Sequence, residues 1–260
     1  MRSQRSPFFI PLVVIIIGGI LLLNNFFLID ADLTRFWPII FVLLGVQVLI
    51  RGDLAPSWQA QTFGITRGSV ESASLEINSA EIDVRLKSLQ RVGRLISGQY
   101  TARSRPRLTV RNNHATLVMQ RGETWLFSLA DWDVSLAQDI PWKLLISAHL
   151  GELQADLRGL QLERAHLATG IGNIKVICPD REAGPIYIRS TFGEIQVTVP
   201  TGVPAIVRTE TSPFSKVIVS NLKADTTGKF YATREYDPEL PAVQVTVAAT
   251  FGNILLTVGE

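Results

Sequence analysis

Cysteine is almost absent from this sequence. Cys178 is the single one among 260 residues, which excludes an intramolecular disulfide and gives no sign of an oxidising compartment. Histidine is nearly as scarce. His114, His149 and His166 stand apart from one another, no Cys or carboxylate cluster has metal-ligand spacing, and no cofactor is expected. There is no Gly-x-Ser-x-Gly elbow and no Walker motif. The closest approach to a phosphate loop, Gly170-Ile171-Gly172, has Lys175 where a dinucleotide fold requires its third glycine, and it precedes a strand instead of a helix. A formal net charge of +2 is too small to imply a nucleic-acid partner. One stretch lacks charge of one sign altogether: between Arg85 and Arg121 there is no Asp or Glu, while Arg85, Lys87, Arg91, Arg94, Arg103, Arg105, Arg107, Arg111 and Arg121 are all basic. Such a segment suits anionic lipid or an acidic partner, and it equally suits a solvated face balanced by acids elsewhere in the fold.

What is present divides at Arg51. Phe8 to Ile29 is an uncharged apolar run, long enough at about 1.5 Å per residue to cross a hydrocarbon core of about 30 Å. It predicts a transmembrane helix, with Pro11 tolerated in the first turn. The run is too long for a signal peptide and no small-x-small cleavage site follows it. After the connector Asp30 to Arg35, a second, shorter apolar run covers Phe36 to Ile50. A helical hairpin is expected, with a re-entrant or interfacial second segment as the alternative. Asn24 and Asn25 are placed either to bond across a helix contact or to mark the headgroups. Arg2 and Arg5 precede the first helix and Arg51 follows the second, so the positive-inside rule places both ends of the hairpin, and the domain beyond, in the cytoplasm. If only the first helix spans, that domain lies outside.

The remainder repeats itself. "SAHLGELQADL" (Ser147 to Leu157), "ATGIGNIKVICP" (Ala168 to Pro179), "STFGEIQVTVP" (Ser190 to Pro200), "TSPFSKVIVSNL" (Thr211 to Leu222) and "ATFGNILLTVG" (Ala249 to Gly259) share one template, the first four spaced by about 21 residues. A fixed period of this kind marks stacked units instead of a single site. Within each copy the apolar residues alternate, as in Ile174, Val176, Cys178, and period two with one apolar face means a half-buried strand. The glycine before each run fits a corner that needs close backbone approach or positive φ. Ser74 to Leu86 resembles an early rung, Tyr100 to Gln120 reads as a hairpin turning near Asn112 and Asn113, and Trp125, Trp132 and Trp142 form an expected hydrophobic plug where the irregular part meets the stack.

The expected architecture is therefore an N-terminal α-helical transmembrane hairpin followed by a mainly-β domain of β-solenoid-like stacked repeats. Its divisions are 1–52 for the hairpin (helices about 8–29 and 34–50), 53–146 for a linker and irregular β region, and 147–260 for the repeats. Stacked in chain order, Glu152, Asn173, Glu194, Lys216 and Asn253 would form a ladder along one edge. That ladder is either a solvated corner with Glu194 and Lys216 as an exposed ion pair, or a source of acid–base carboxylates for polysaccharide cleavage.

"GGILLLNNFFLI" followed by "FWPIIFVLLGVQVLI" resembles the LiaI/LiaF-type membrane hairpin, and "DIPWKLLISAHLGELQADLRGLQLERAHLATGIGNIKVICP" resembles the toast-rack β-repeat domain of LiaF-like proteins. The resemblance implies a multi-pass cell-membrane protein without enzymatic activity, an accessory regulator of bacterial envelope-stress signalling. Its implied partners are the membrane and a membrane-bound sensor kinase. The competing expectation is an anchored, adhesin-like β-solenoid that faces outward and binds other surfaces.

Overall fold

The computed structural model describes residues 61–100, 104–121 and 131–259. Of the two units into which the chain divides, Met1–Gly52 and Asp53–Glu260, the second holds every described residue. The two expected membrane helices and Trp125 lie outside the described residues, as does Arg103. Among the described residues no helix is long and apolar enough to cross a membrane.

Every regular element described is a strand. In chain order these are β1 (Gln61–Thr66), β2 (Ser72–Asn78), β3 (Val84–Leu89), β4 (Arg94–Tyr100), β5 (Arg107–Arg111), β6 (His114–Gln120), β7 (Trp132–Ala137), β8 (Pro141–Leu150) and β9 (Leu153–Asp156). They continue as β10 (Gln161–Ile171), β11 (Ile174–Ile177), β12 (Ile186–Phe192), β13 (Ile195–Pro200), β14 (Ala205–Thr211), β15 (Ser215–Ser220), β16 (Lys223–Ala224), β17 (Phe230–Ala232) and β18 (Val243–Gly259).

Each repeat supplies two strands joined by a corner, one to each of two facing sheets, so the expected mainly-β stack is what forms. One sheet runs β1-β4-β7-β3-β9-β11-β13-β18-β15 and the other β5-β6-β2-β8-β10-β12-β18-β14-β17-β16. The central strands are all parallel, as is β15 at its edge, while β1, β4, β5, β16 and β17 pair antiparallel. Alternation decides the core: Leu153, Ile174, Ile195, Ile254 and Val217 lie in register across one sheet, and Leu75, Leu144, Ala165, Ile186, Val245 and Val207 across the other. All but Val217 are fully enclosed. At about 25 cal/mol per Å² of apolar surface, such continuous rows are the main stabilising term of the domain.

The corners explain the glycines. Gly172 and Gly193 hold φ at +146° and +140°, and a Cβ on either would lie 1.9 or 2.0 Å from the carbonyl oxygen of the glycine one rung below, Gly151 or Gly172. Backbone passes over backbone there, which no other residue permits. Thr169 and Ser190 donate their hydroxyls to the Gly172 carbonyl at 3.1 and 3.4 Å, so the buried corner oxygen keeps its partners.

The order of stacking departs from chain order at both ends. β18, the last strand, lies between β12 and β14 in one sheet and between β13 and β15 in the other. Likewise, β2 and β3 are inserted between β6 and β7 on one side and β8 and β9 on the other. The expected ladder is reordered accordingly: Asn253 separates Glu194 from Lys216, and the Glu194–Lys216 ion pair does not form. Any strand with the right alternation fits a given slot, so alternation is blind to which strand occupies it.

Part of the earlier region also forms rungs of the stack. Ser74 to Leu86 is a full rung, turning at Ala80 with φ +54°. Asn112 and Asn113 sit at φ +49° and +59°, the left-handed pair of a tight hairpin between β5 and β6. Trp132 on β7 and Trp142 on β8 are buried in the hydrophobic core, and the Trp142 indole N–H donates to the Ala137 carbonyl at 2.8 Å.

Candidate functional site

The basic residues from Arg85 to Arg121 are spread over several surfaces. Arg85 and Lys87 project from the outer face of β3 into a shallow groove that they share with Asp133, Gln154, Asp156 and Lys175. Charges of both signs alternate across that groove. Arg85 pairs with Asp131 at 3.1 Å and Lys175 with Glu152 at 3.0 Å. The hydrogen bond from Lys175 holds the Glu152 carboxyl below the usual carboxylate range. Arg91 lies exposed in the β3–β4 turn, and Arg94 lays its guanidinium against Gly64. Arg121 is enclosed and paired with Glu81. Three of the set remain together: Arg105, just before β5, and Arg107 and Arg111 within it are all exposed on the outermost described strand of one sheet.

A second surface was not legible as a site in the sequence. The residue before each corner is apolar and points outward: Leu150, Ile171, Phe192, Phe251 and, next to Ser215, Phe214. Leu150, Ile171, Phe192 and Phe251 lie in register. The Phe192 and Phe251 rings stack with centroids 4.5 Å apart and 2° between planes, and Phe214 continues the column at 5.1 Å from Phe251. Phe214 is 70% exposed and Ile171 54%. The signal was present as an apolar residue recurring just before each corner, out of phase with the inward alternation that reveals the core. A ridge of stacked rings on a rigid corner has the form of a protein-contact surface, where large apolar side chains are held at little entropic cost.

The groups of the sequence that could carry chemistry are otherwise engaged. His114 bridges Ser72 and Ser74 through its two ring nitrogens, at 2.7 and 2.8 Å, and His166 stacks on Tyr187 at 4.7 Å. Asn173 lies between Glu152 and Glu194, with its side-chain oxygen accepting from the Glu194 backbone N–H at 2.9 Å, so the two carboxylates are two rungs apart. Among the described residues no group of His, Cys, Asp and Glu could hold a metal ion. Burial pushes the Cys178 thiol up to about 12. We expect no reaction of native protein with a thiol reagent at pH 8 and full reaction after denaturation; labelling of the native chain within minutes would show that the Cys178 strand opens readily.

Comparison with known proteins agrees with this geometry. Residues 58–198 match the family described as the N-terminal domain of toast_rack, DUF2154, and residues 8–49 match the LiaI-LiaF-like transmembrane region. No curated protein matches the chain. Among solved structures, a candidate cell adhesion protein of Clostridium sporogenes is similar over 76% of this chain and 98% of its own, at 17% identity and a TM-score of 0.69. A candidate adhesin of Bacteroides fragilis is matched over 77% of this chain and 98% of its own at 11% identity, with a TM-score of 0.31.

Proposed function

The chain belongs to the toast_rack family, and from that premise we propose that it is a membrane-anchored, non-enzymatic regulator of bacterial envelope-stress signalling that acts by protein contact. The N-terminal hairpin holds it in the membrane, with the β domain on the cytoplasmic side as the flanking arginines favour. The stack, rigid through its continuous core, presents a surface that restrains a membrane-bound sensor kinase by binding one of its states better than the other. The observation that carries this reading is the column Ile171, Phe192, Phe251 and Phe214.

Replacing Phe192, Phe214 and Phe251 together with Ser removes outward side chains without touching the core. Anchors of this kind are each worth about 2 kcal/mol or more in an interface. The variant is expected to release an envelope-stress reporter from restraint in unstressed cells, as deletion of residues 1–52 should. Normal restraint by either variant would overturn the reading. A second reading, an anchored adhesin-like module facing outward, is favoured by the fold shared with the Clostridium sporogenes protein. A reporter enzyme fused after Glu260 decides between them: activity only outside the cytoplasm selects the adhesin-like module.

A further inference from the structure

Strand β5 has every residue exposed, as does no other described strand except the two-residue β16. Its inward-facing Leu108 and Val110 are 39% and 48% exposed, whereas the residues opposite them on β6, Leu117 and Ala115, are at 2% and 1%. The two apolar side chains therefore overhang the core. Its other face carries Arg107 and Arg111, and Arg105 lies immediately before it. Among the described residues β5 is the last strand of that sheet, paired on one side only, with β6.

No acid lies in β5, β6 or the turn between them. Glu71 approaches the turn, where its carboxylate accepts from Asn113 at 3.3 Å, and Glu76 lies on β2, one strand further in. The edge is thus a strip of arginine and apolar residues with its nearest carboxylates set back from it.

Its place in the stack matters equally. β1 is the outermost strand of one sheet and β5 the outermost of the other, at the same end. β1 begins at Gln61, and the transmembrane match ends at residue 49. A tether of that length reaches about 40 Å even when fully extended. The chain thus enters the described β domain at β1, at the end of the stack that carries β5, and a short connection to a membrane segment raises the local concentration of lipid.

We propose that the β5 edge docks on an anionic phospholipid surface, with Arg105, Arg107 and Arg111 at the headgroup phosphates and Leu108 and Val110 at the acyl boundary. Guanidinium groups take phosphate oxygens in bidentate pairs, and their stems lie along apolar surface while the heads stay among the headgroups. A docked end would fix the stack against the membrane and set which of its corners faces a neighbouring protein. The inference rests on the membrane anchorage of the proposed function and is independent of the kinase partner.

The test uses the full chain with Thr109→Cys, labelled with an environment-sensitive fluorophore while the buried Cys178 stays unreactive. The labelled protein is reconstituted into phosphatidylcholine vesicles with and without phosphatidylglycerol, each containing a headgroup-quencher lipid. Quenching is expected only with phosphatidylglycerol and should disappear near 0.5 M salt, where the Debye length falls below about 5 Å. Arg105→Glu, Arg107→Glu and Arg111→Glu together should lower the docked-to-undocked ratio about a hundredfold or more, three basic contacts being lost. The same charge change at Lys216, Lys223 and Lys229, at the other end of the stack, should leave quenching intact, as should a label at Ser220→Cys stay unquenched. Equal quenching in both vesicle types, none in either, or insensitivity to the arginine reversals would overturn the proposal. A β5 edge that serves an acidic protein instead of lipid gives the second of these results. None of these outcomes alters the reporter assays of the Phe column, so the two readings fail separately.

Discussion

Gly193→Ala is expected to destabilise the β domain by about 4 kcal/mol, a large effect for a single added methyl group. Two costs combine. At φ +140° a side chain occupies a backbone region that is essentially reserved for glycine, worth about 1–3 kcal/mol. The new Cβ would also lie 2.0 Å from the Gly172 carbonyl oxygen, and overpacking against backbone costs about 1–3 kcal/mol more because no side chain can turn aside. The effect should propagate. Moving the Gly193 corner outward strains the hydrogen bond from its N–H to the Phe251 carbonyl, 3.1 Å, and loosens the corner formed by β18. For a unit of this size the loss corresponds to a fall in Tm of about 10 °C, read from the fluorescence of the buried Trp132 and Trp142. Gly228→Ala is the matched control. Its φ is also positive, +63°, but nothing lies within 4 Å of the added atom, so it should cost only about 1 kcal/mol. Equal losses at the two positions would show that rung-on-rung contact at the corner contributes nothing.

The contrast between these glycines shows what the sequence could and could not reveal. Recurrence of Gly151, Gly172 and Gly193 before alternating apolar runs was legible because every rung must turn the same corner over the same backbone. The inward direction of Ile174, Val176 and Cys178 was legible for the same reason, and each is enclosed. The neighbour of each rung was not legible. Val217 and Ile254 satisfy the same slot beside Ile195, and only the fold shows that Ile254 takes it and Val217 lies one place out. Charge was misleading in a different way. Arg85 to Arg121 is uniformly basic along the chain, yet the sheets bring Asp131 to Arg85 and Glu81 to Arg121, leaving Arg105, Arg107 and Arg111 as the group that stays together and exposed. Partners from distant strands are invisible to a local count. The Phe column escaped because its members fall between two readings: they are apolar, but out of phase with the core.

Removing β18 should have a larger effect still, because that strand is the sole link between the last rung and the rest of the stack. β14 and β15 pair with β18 and make no ladder to β12 or β13. A chain ending at Ala242 is therefore expected to lose amide-exchange protection throughout β14 and β15, by several orders of magnitude, while β8 to β11 keep theirs. The physical reason is the closure of the stack. Until β18 enters, the β12 and β13 edges stand open, and the inward residues Ile188, Val197 and Val207, now fully enclosed, lack their covering layer. The gap invites a simpler arrangement, in which β14 and β15 move one place inward and pair with β12 and β13 directly; chain order and alternation both permit it. Against that stands the hairpin formed by β16 and β17, which is built on β14 in its present position, with Thr233 accepting from the Ala205 N–H and donating to the Val203 carbonyl, both at 3.0 Å. Val247→Asp in the full chain tests the same closure without truncation, since a carboxylate at this fully enclosed site of β18 is costly wherever the strand inserts. It should reproduce the loss of protection in β14 and β15. Protected β14 and β15 in the shortened chain would mean that the repeats stack in chain order when given the opportunity, and that β18 is an addition to a stack already complete.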